Sequence, residues 1–263
     1  MADKTAPVVA FFDVDGTLTC REFNTGLRVV PTARVQAAIR AFVDAGNVAV
    51  ISSGRCMDGL VDLFDLPFSG FVTLDGAHVI KDGRVILDHS IPDELFQQTI
   101  AEVRRVGMEA LLEGQHGACV VTSPIGELAN LGLPSLDDYV AAGYPPVFSK
   151  IDFDETSMAA YEKSDFLRET FEYLNVGDGY HELVMPGTSK AAGAQALLAE
   201  LPFVPSRTFA FGDSENDLSL LDAVDVAVVM GNARDVVKEH ADYVTGSVKE
   251  DGVATALEHF GLI

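Results

Sequence analysis

Cysteine is scarce in this chain of 263 residues: Cys20, Cys56 and Cys119 are widely spaced and form no CxxC pair. That argues against a disulfide framework and a thiolate zinc site, and such thiols suit a reducing cytosol. Positive charge is thin as well. Lys and Arg number 18 against 40 Asp and Glu, for a net charge of -22 and a pI near 4.4. A polyanion would be repelled over most of such a surface, so neither nucleic acid nor an anionic membrane is expected as a partner. Long apolar runs are missing too. Residues 8–12 are too few to span a bilayer or direct export, and the opening MADKTAP lacks a basic stretch, so a cytoplasmic protein is expected. The six histidines show no HxxxH spacing and read as structural or surface residues.

What remains is a chain that is 48% hydrophobic, enough for a full core. Its first part alternates apolar strands with helical patterns: 8–12, then an amphipathic stretch at 32–45, then 47–51. Thr32 can cap a helix whose apolar positions Val35, Ala38, Ile39, Phe42 and Val43 recur at helical spacing, with Gly46 ending it. The last third repeats the alternation, with helices at 189–198, 215–221, 233–240 and from 252, and strands at 208–211, 224–230 and 243–245. That order predicts an α/β fold with a parallel, Rossmann-like sheet. The middle breaks the pattern with a hairpin around residues 81–84, a helix at 93–106 and irregular Gly- and Pro-containing segments. A core from 1–80 and 186–263 is therefore expected, with an inserted α+β module at 81–185.

Acids emerge from the ends of two apolar strands. Asp13-Val14-Asp15-Gly16-Thr17 follows the first, where the carboxyl edge of a parallel sheet normally binds ligands. Two carboxylates one residue apart point to different sides of an extended backbone, so one can attack while the other handles protons; Gly16 lets the chain turn. A carboxylate attacking phosphorus forms a readily hydrolysed acyl phosphate. Gly212-Asp213-Ser214-Glu215-Asn216-Asp217 follows the strand at 208–211, and Asp213 is placed to join Asp13 on a hard cation such as Mg²⁺. Asp217 could tether Lys190 or a metal-bound water. Ser53, ahead of Gly54 and Arg55, offers a hydroxyl and amides to a phosphate, with Ser52 competing for the role. Lys190 opens a helix, where the dipole disfavours a cation, and this points to an anionic partner. Each feature also has a structural reading: an Asp-Gly turn, a helix cap at Asp213 or Ser214, an N-cap with a surface Arg55, a solvated lysine.

Taken in order, DVDGT at Asp13, Ser-Gly-Arg at Ser53, Ser-Lys at Lys190 and GDSEND at Asp213 resemble the haloacid dehalogenase superfamily, and within it the Cof-type branch of sugar-phosphate phosphatases. Gly231-Asn232-Ala233 and Glu250-Asp251-Gly252-Val253-Ala254 extend the similarity. The resemblance implies a Rossmann-like core with a mobile α/β cap that sets specificity, acting on a small phosphorylated metabolite, a sugar phosphate first. It further implies that Asp13 is the nucleophile and Asp15 the acid and base. Ser53 with Gly54 and Lys190 would bind phosphate, with Asn216 near it. Asp13, the Asp15 carbonyl and Asp213 would hold Mg²⁺, with Asp217 and Arg55 in support. Acid work by Asp15 would require burial or hydrogen bonding that favours its neutral form. Leu74-Asp75-Gly76-Ala77 departs from the Asn-Gly-Ala of many relatives, so no substrate role is carried over to Asp75. Two alternatives stand beside a phosphatase: a phosphomannomutase-like transfer, suggested by DVDGTLT at 13–19, and a non-catalytic binding or regulatory module on the same fold.

Overall fold

The computed structural model describes residues 6–20, 22, 29–121, 132–177 and 179–263. Among the described residues, thirteen strands fall into two sheets belonging to two compact units. The first unit comprises Met1–Arg55, Gly59–Leu87 and Ser189–Ile263. Its strands are β1 (Val8–Phe12), β2 (Val48–Ser52), β3 (Gly70–Thr73), β4 (His78–Lys81) and β5 (Arg84–Asp88). The second unit, Cys56–Asp58 and Asp88–Thr188, holds β6 (Leu111–Gly114), β7 (Gly117–Val120), β8 (Lys150–Asp154), β9 (Glu172–Gly177) and β10 (Tyr180–Val184). The chain then returns to the first unit with β11 (Arg207–Gly212), β12 (Val226–Val229) and β13 (Tyr243–Val244).

The first sheet runs β13-β12-β11-β1-β2-β3-β4-β5, parallel from β13 to β3, with β4 turning back antiparallel on β3. Strand β1 lies at its centre and is apolar on both faces, as a strand covered on both sides must be. Ala10 and Phe12 face a cluster that includes Val35, Ile39 and Phe42 from the Ala33–Asp44 helix and Val253 and Leu257 from the Gly252–His259 helix. Val9 and Phe11 face the opposite cluster, with Ala194 and Leu197 from the Lys190–Ala199 helix. Thr32 caps the Ala33–Asp44 helix as the sequence predicts, its hydroxyl accepting from the Val35 amide at 3.3 Å.

The second sheet is antiparallel, in the order β7-β6-β8-β10-β9. One face packs Leu112, Ile151, Phe153 and Leu183 against Phe96, Ile100 and Val103 of the Asp93–Val106 helix and Leu167 of the Asp165–Thr170 helix. On the alternate positions, Lys150 Nζ bonds Glu182 at 2.8 Å and Glu113 at 3.1 Å. The compact units divide beside Leu87 and Ser189. The hairpin that the sequence reading placed with the inserted module is thus β4–β5, an extension of the first sheet, because antiparallel pairing with β3 satisfies its backbone there. The helix expected at 233–240 is shorter, Asp235–Lys238, because Arg234 is extended and stands as its N-cap. Among the described residues, no helix is long and apolar enough to cross a membrane.

Phe42 is fully buried and meets Phe12 edge-on with ring centroids 6.3 Å apart. Phe42→Ala is expected to destabilise the protein by about 3–5 kcal/mol, read as a lower urea midpoint at unchanged m-value.

Candidate active site

Neighbouring parallel strands β11, β1 and β2 each deliver a polar residue just beyond their carboxyl ends: Asp213, Asp13 and Ser53. Parallel register brings these ends to one edge, with Phe12 beside both Phe211 and Ile51. The Asp13 amide still donates to the Phe211 carbonyl at 2.9 Å, so the first carboxylate is fixed by the sheet itself.

Lys190 stands at the middle of the charged cluster. It is the first residue of its helix, Ser189 caps that helix by accepting from the Ala192 amide, and its side chain has no exposed surface. Its Nζ donates to Asp13 Oδ1 at 2.8 Å and Asp217 Oδ1 at 2.6 Å. Asp217 in turn accepts at Oδ2 from the amides of Asp213 and Ser214, both at 3.0 Å. Of the two roles the sequence left open for Asp217, tethering Lys190 is the one its contacts fill, and it also shapes the loop carrying Asp213. Ser214 and Asp217 form a capping box, which is the structural reading of that segment.

Asp213 is oriented from two sides. Thr17 Oγ1 donates to its Oδ1 at 3.4 Å, and Asn232 Nδ2 to its Oδ2 at 3.0 Å. Asn232 also donates to the Gly16 carbonyl at 2.9 Å and accepts from the Val248 amide at 2.8 Å, which locks the amide's orientation. Gly16 adopts φ +85°, and a Cβ there would lie 2.1 Å from Asp213 Oδ2. Glycine at this position is therefore required twice, by conformation and by space.

Asp15 lies outside this cluster. Its side chain is 53% exposed and takes a two-pronged contact from Arg55, Nε to Oδ2 at 2.6 Å and Nη2 to Oδ1 at 2.8 Å. Of the burial or hydrogen bonding that acid work by Asp15 was expected to need, burial is absent, and the hydrogen bonds it has come from Arg55. Ser53 is buried, and its Oγ accepts from the Arg55 amide at 3.2 Å. Ser52 is the last residue of β2, with a buried hydroxyl that has no hydrogen-bond partner among the described residues. Asn216 donates from Nδ2 to Asp75 Oδ1 at 2.9 Å and accepts from Ser214 Oγ at 2.6 Å. Gly54 packs beside Asp75, a Cβ there meeting Asp75 Oδ2 at 3.0 Å.

Oxygens of Asp13, Asp213 and Asp217 lie within 4.8 Å of one another. Three carboxylates thus face one ammonium. Burial pushes the Asp13 carboxyl well above its ordinary value, against the pull of Lys190 and with the push of Asp217 and Asp213. Burial also raises Asp213, to about 7, helped by Asp217. Burial alone would lower Lys190, but Asp13, Asp217 and Asp75 hold its ammonium above the usual lysine value. Asn232 and Asp75 are the residues of this centre that the sequence reading did not assign to it. Asp75 follows an apolar strand as Asp13 and Asp213 do, and that shared placement was the available signal.

The fold and the centre together define an α/β enzyme with paired acids at the carboxyl edge of a parallel sheet. The family of haloacid dehalogenase-like hydrolases matches residues 10–257. YkrA of Bacillus subtilis strain 168, provisionally classed as a phosphatase, is 30% identical over 96% of this chain and 97% of its own length. YcsE of the same organism, a 5-amino-6-(5-phospho-D-ribitylamino)uracil phosphatase, is 29% identical over 95% of this chain and 94% of its own. Among solved structures, the phosphatase BT1666 of Bacteroides thetaiotaomicron superposes with a TM-score of 0.83 at 26% identity, over 100% of this chain and 97% of that one. The chain belongs to the haloacid dehalogenase-like hydrolases and is a Cof-type phosphatase of that superfamily with a cap domain.

Asp13 and Asp213 bind protons more tightly folded than unfolded. Their contribution to stability is therefore greatest below the ordinary aspartate value near 3.8 and is lost as pH rises through about 7, the folded value of Asp213. Urea titrations of chelator-treated protein at pH 5 and pH 8 should show that loss, and Asp213→Asn should reduce it.

Proposed function

We propose that the protein is a Mg²⁺-dependent phosphomonoesterase acting on a small phosphorylated metabolite, a sugar or sugar-alcohol phosphate first, through a phosphoryl group carried on Asp13. The observation that carries this reading is Asp13 Oδ2. Lys190 holds the other oxygen of the same carboxylate, while Oδ2 is buried with no hydrogen-bond partner among the described residues. A buried acceptor left unmatched is costly, and a group held at that cost has a use.

In the first step Asp13 Oδ2 bonds to phosphorus as the ester P–O bond breaks, and Asp15 passes a proton to the departing oxygen. In the second, Asp15 takes a proton from water, whose oxygen bonds to phosphorus; phosphate leaves and the Asp13 carboxylate is restored. Arg55 engages both Asp15 oxygens, and a proton on either would weaken that fork. Ser53, with the amides around Gly54, grips phosphate in this scheme, and Asn216 contributes its second amide hydrogen. Lys190 spends two of its three hydrogens on Asp13 and Asp217, so it acts chiefly by orienting and neutralising Asp13.

The donor set fits a hard divalent cation: carboxylate oxygens of Asp13, Asp213 and Asp217 lie together, with the Lys190 ammonium bonded to two of these acids. Asp13, Asp213 and the Asp15 carbonyl would hold it, with Asp217 in support through Lys190 and the Asp213 amide. Mg²⁺ when bound supplies positive charge that offsets the negative charge of the transferring phosphoryl group. The cap, residues 81–185 in the sequence reading, would choose the leaving group. The named substrate of YcsE, a phosphorylated ribityl compound, supports a sugar-alcohol phosphate as the first class to try.

Hydrolysis of p-nitrophenyl phosphate should require Mg²⁺, and Asp13→Asn should lose on the order of 10⁴-fold or more in kcat. Undiminished turnover by that variant would remove Asp13 from the chemistry. Interconversion of hexose 1- and 6-phosphates with little free phosphate would point to a mutase instead.

A further inference from the structure

Three consecutive residues after β3 adopt left-handed backbone conformations: Leu74 at φ 51°, Asp75 at φ 54° and Gly76 at φ 98°. For Leu and Asp this conformation carries a cost of roughly 1 kcal/mol or more each, and it persists only where surrounding structure imposes it. The surroundings here do so at several points. The Leu74 amide donates to the Arg55 carbonyl at 3.1 Å and the Asp75 amide to the Ser53 carbonyl at 3.2 Å. Gly76 abuts the start of the Lys190–Ala199 helix so closely that a Cβ would fall 1.9 Å from the Ser189 carbonyl oxygen. The Asp75 side chain, 2% exposed, reaches the Asn216 amide.

One turn therefore touches the Ser53 loop, the first turn of the Lys190 helix and the loop carrying Asn216. We propose that Asp75 is a positioning residue whose carboxylate fixes the Asn216 amide, and that its turn ties those segments into one phosphate cradle. This rests on the phosphatase reading above and extends it to a residue with no part in the bond-making steps. Asp75 Oδ1 accepts from the NH₂ end of Asn216 while Ser214 Oγ donates to the amide oxygen, so the amide is held at both ends. With both ends assigned, the second Nδ2 hydrogen has a fixed direction and binds an anion without a further entropy cost.

The test separates the carboxylate from the backbone it sits on. Asp75→Gly removes the acceptor and leaves φ 54° unstrained, whereas Asp75→Asn keeps an oxygen able to accept from Asn216 and tolerates the same conformation. Calorimetric titration with inorganic phosphate in the presence of Mg²⁺ needs no turnover. Asp75→Gly should bind about tenfold more weakly than the parent chain, and Asp75→Asn within about threefold of it. With p-nitrophenyl phosphate, Asp75→Gly should raise KM by a similar factor while kcat falls less than about threefold. Equal phosphate affinity in all three proteins, including no binding by any, overturns the proposal. So does an equal loss in both variants, since that would mark the intact turn rather than the acceptor as what matters. Phosphate binding that follows the expected order without any ester hydrolysis would sink the phosphatase reading and leave the role of Asp75 standing.

Discussion

A single ammonium holds the centre together. Lys190 has no exposed side-chain surface and bridges Asp13 to Asp217, residues that come from opposite ends of the chain. Without that bridge, carboxylates gathered at one sheet edge would repel each other in a medium that screens poorly. With it, Asp13 is held at one oxygen and left open at the other, while Asp217 gathers the amides of Asp213 and Ser214. The dipole at the start of the Lys190–Ala199 helix works against a cation, so the acids outweigh the helix in keeping the charge there.

The sheet sets the positions and the loops set the orientations. Consecutive strand ends deliver Asp213, Asp13 and Ser53 at spacings fixed by parallel pairing, which side-chain motion cannot change. Fine placement comes from residues with no charge to contribute. Asn232 spans Gly16, Asp213 and Val248, and Gly16 yields the space that Asp213 Oδ2 occupies. On the other flank of β1, the Leu74–Gly76 turn brings Asp75 to the Asn216 amide.

The parallel core was legible because its signals are local. Val8–Phe12 is apolar on both faces, and the 32–45 stretch repeats at helical spacing, each declaring its element in a few residues. The Asp93–Val106 helix is visible in the same way, with Gly107 in the left-handed conformation closing it. The second sheet was harder to see. Lys150-Ile151-Asp152-Phe153-Asp154 alternates strictly, but charge on one face of a short run reads as surface until Glu113 and Glu182 on neighbouring strands are known to meet Lys150. Asp13, Asp213 and Lys190 were legible as members of the centre because chemistry and position coincide in them. The Arg55 fork on Asp15 was not: it joins residues 40 apart, and nothing in either segment announces a partner. Asn232 was seen as part of a motif, but its contacts with Asp213 and Gly16 exist only once β12 is laid beside β11.

The complete enclosure of Lys190 reaches beyond geometry. Surface lysines are open to acylation, methylation and amine-reactive aldehydes, and cells regulate many proteins by such means. An amine with no solvent-facing atom offers those agents no approach unless the first turn of its helix comes apart. The charge balance at the heart of this enzyme is thereby insulated from the modifications that govern exposed amines.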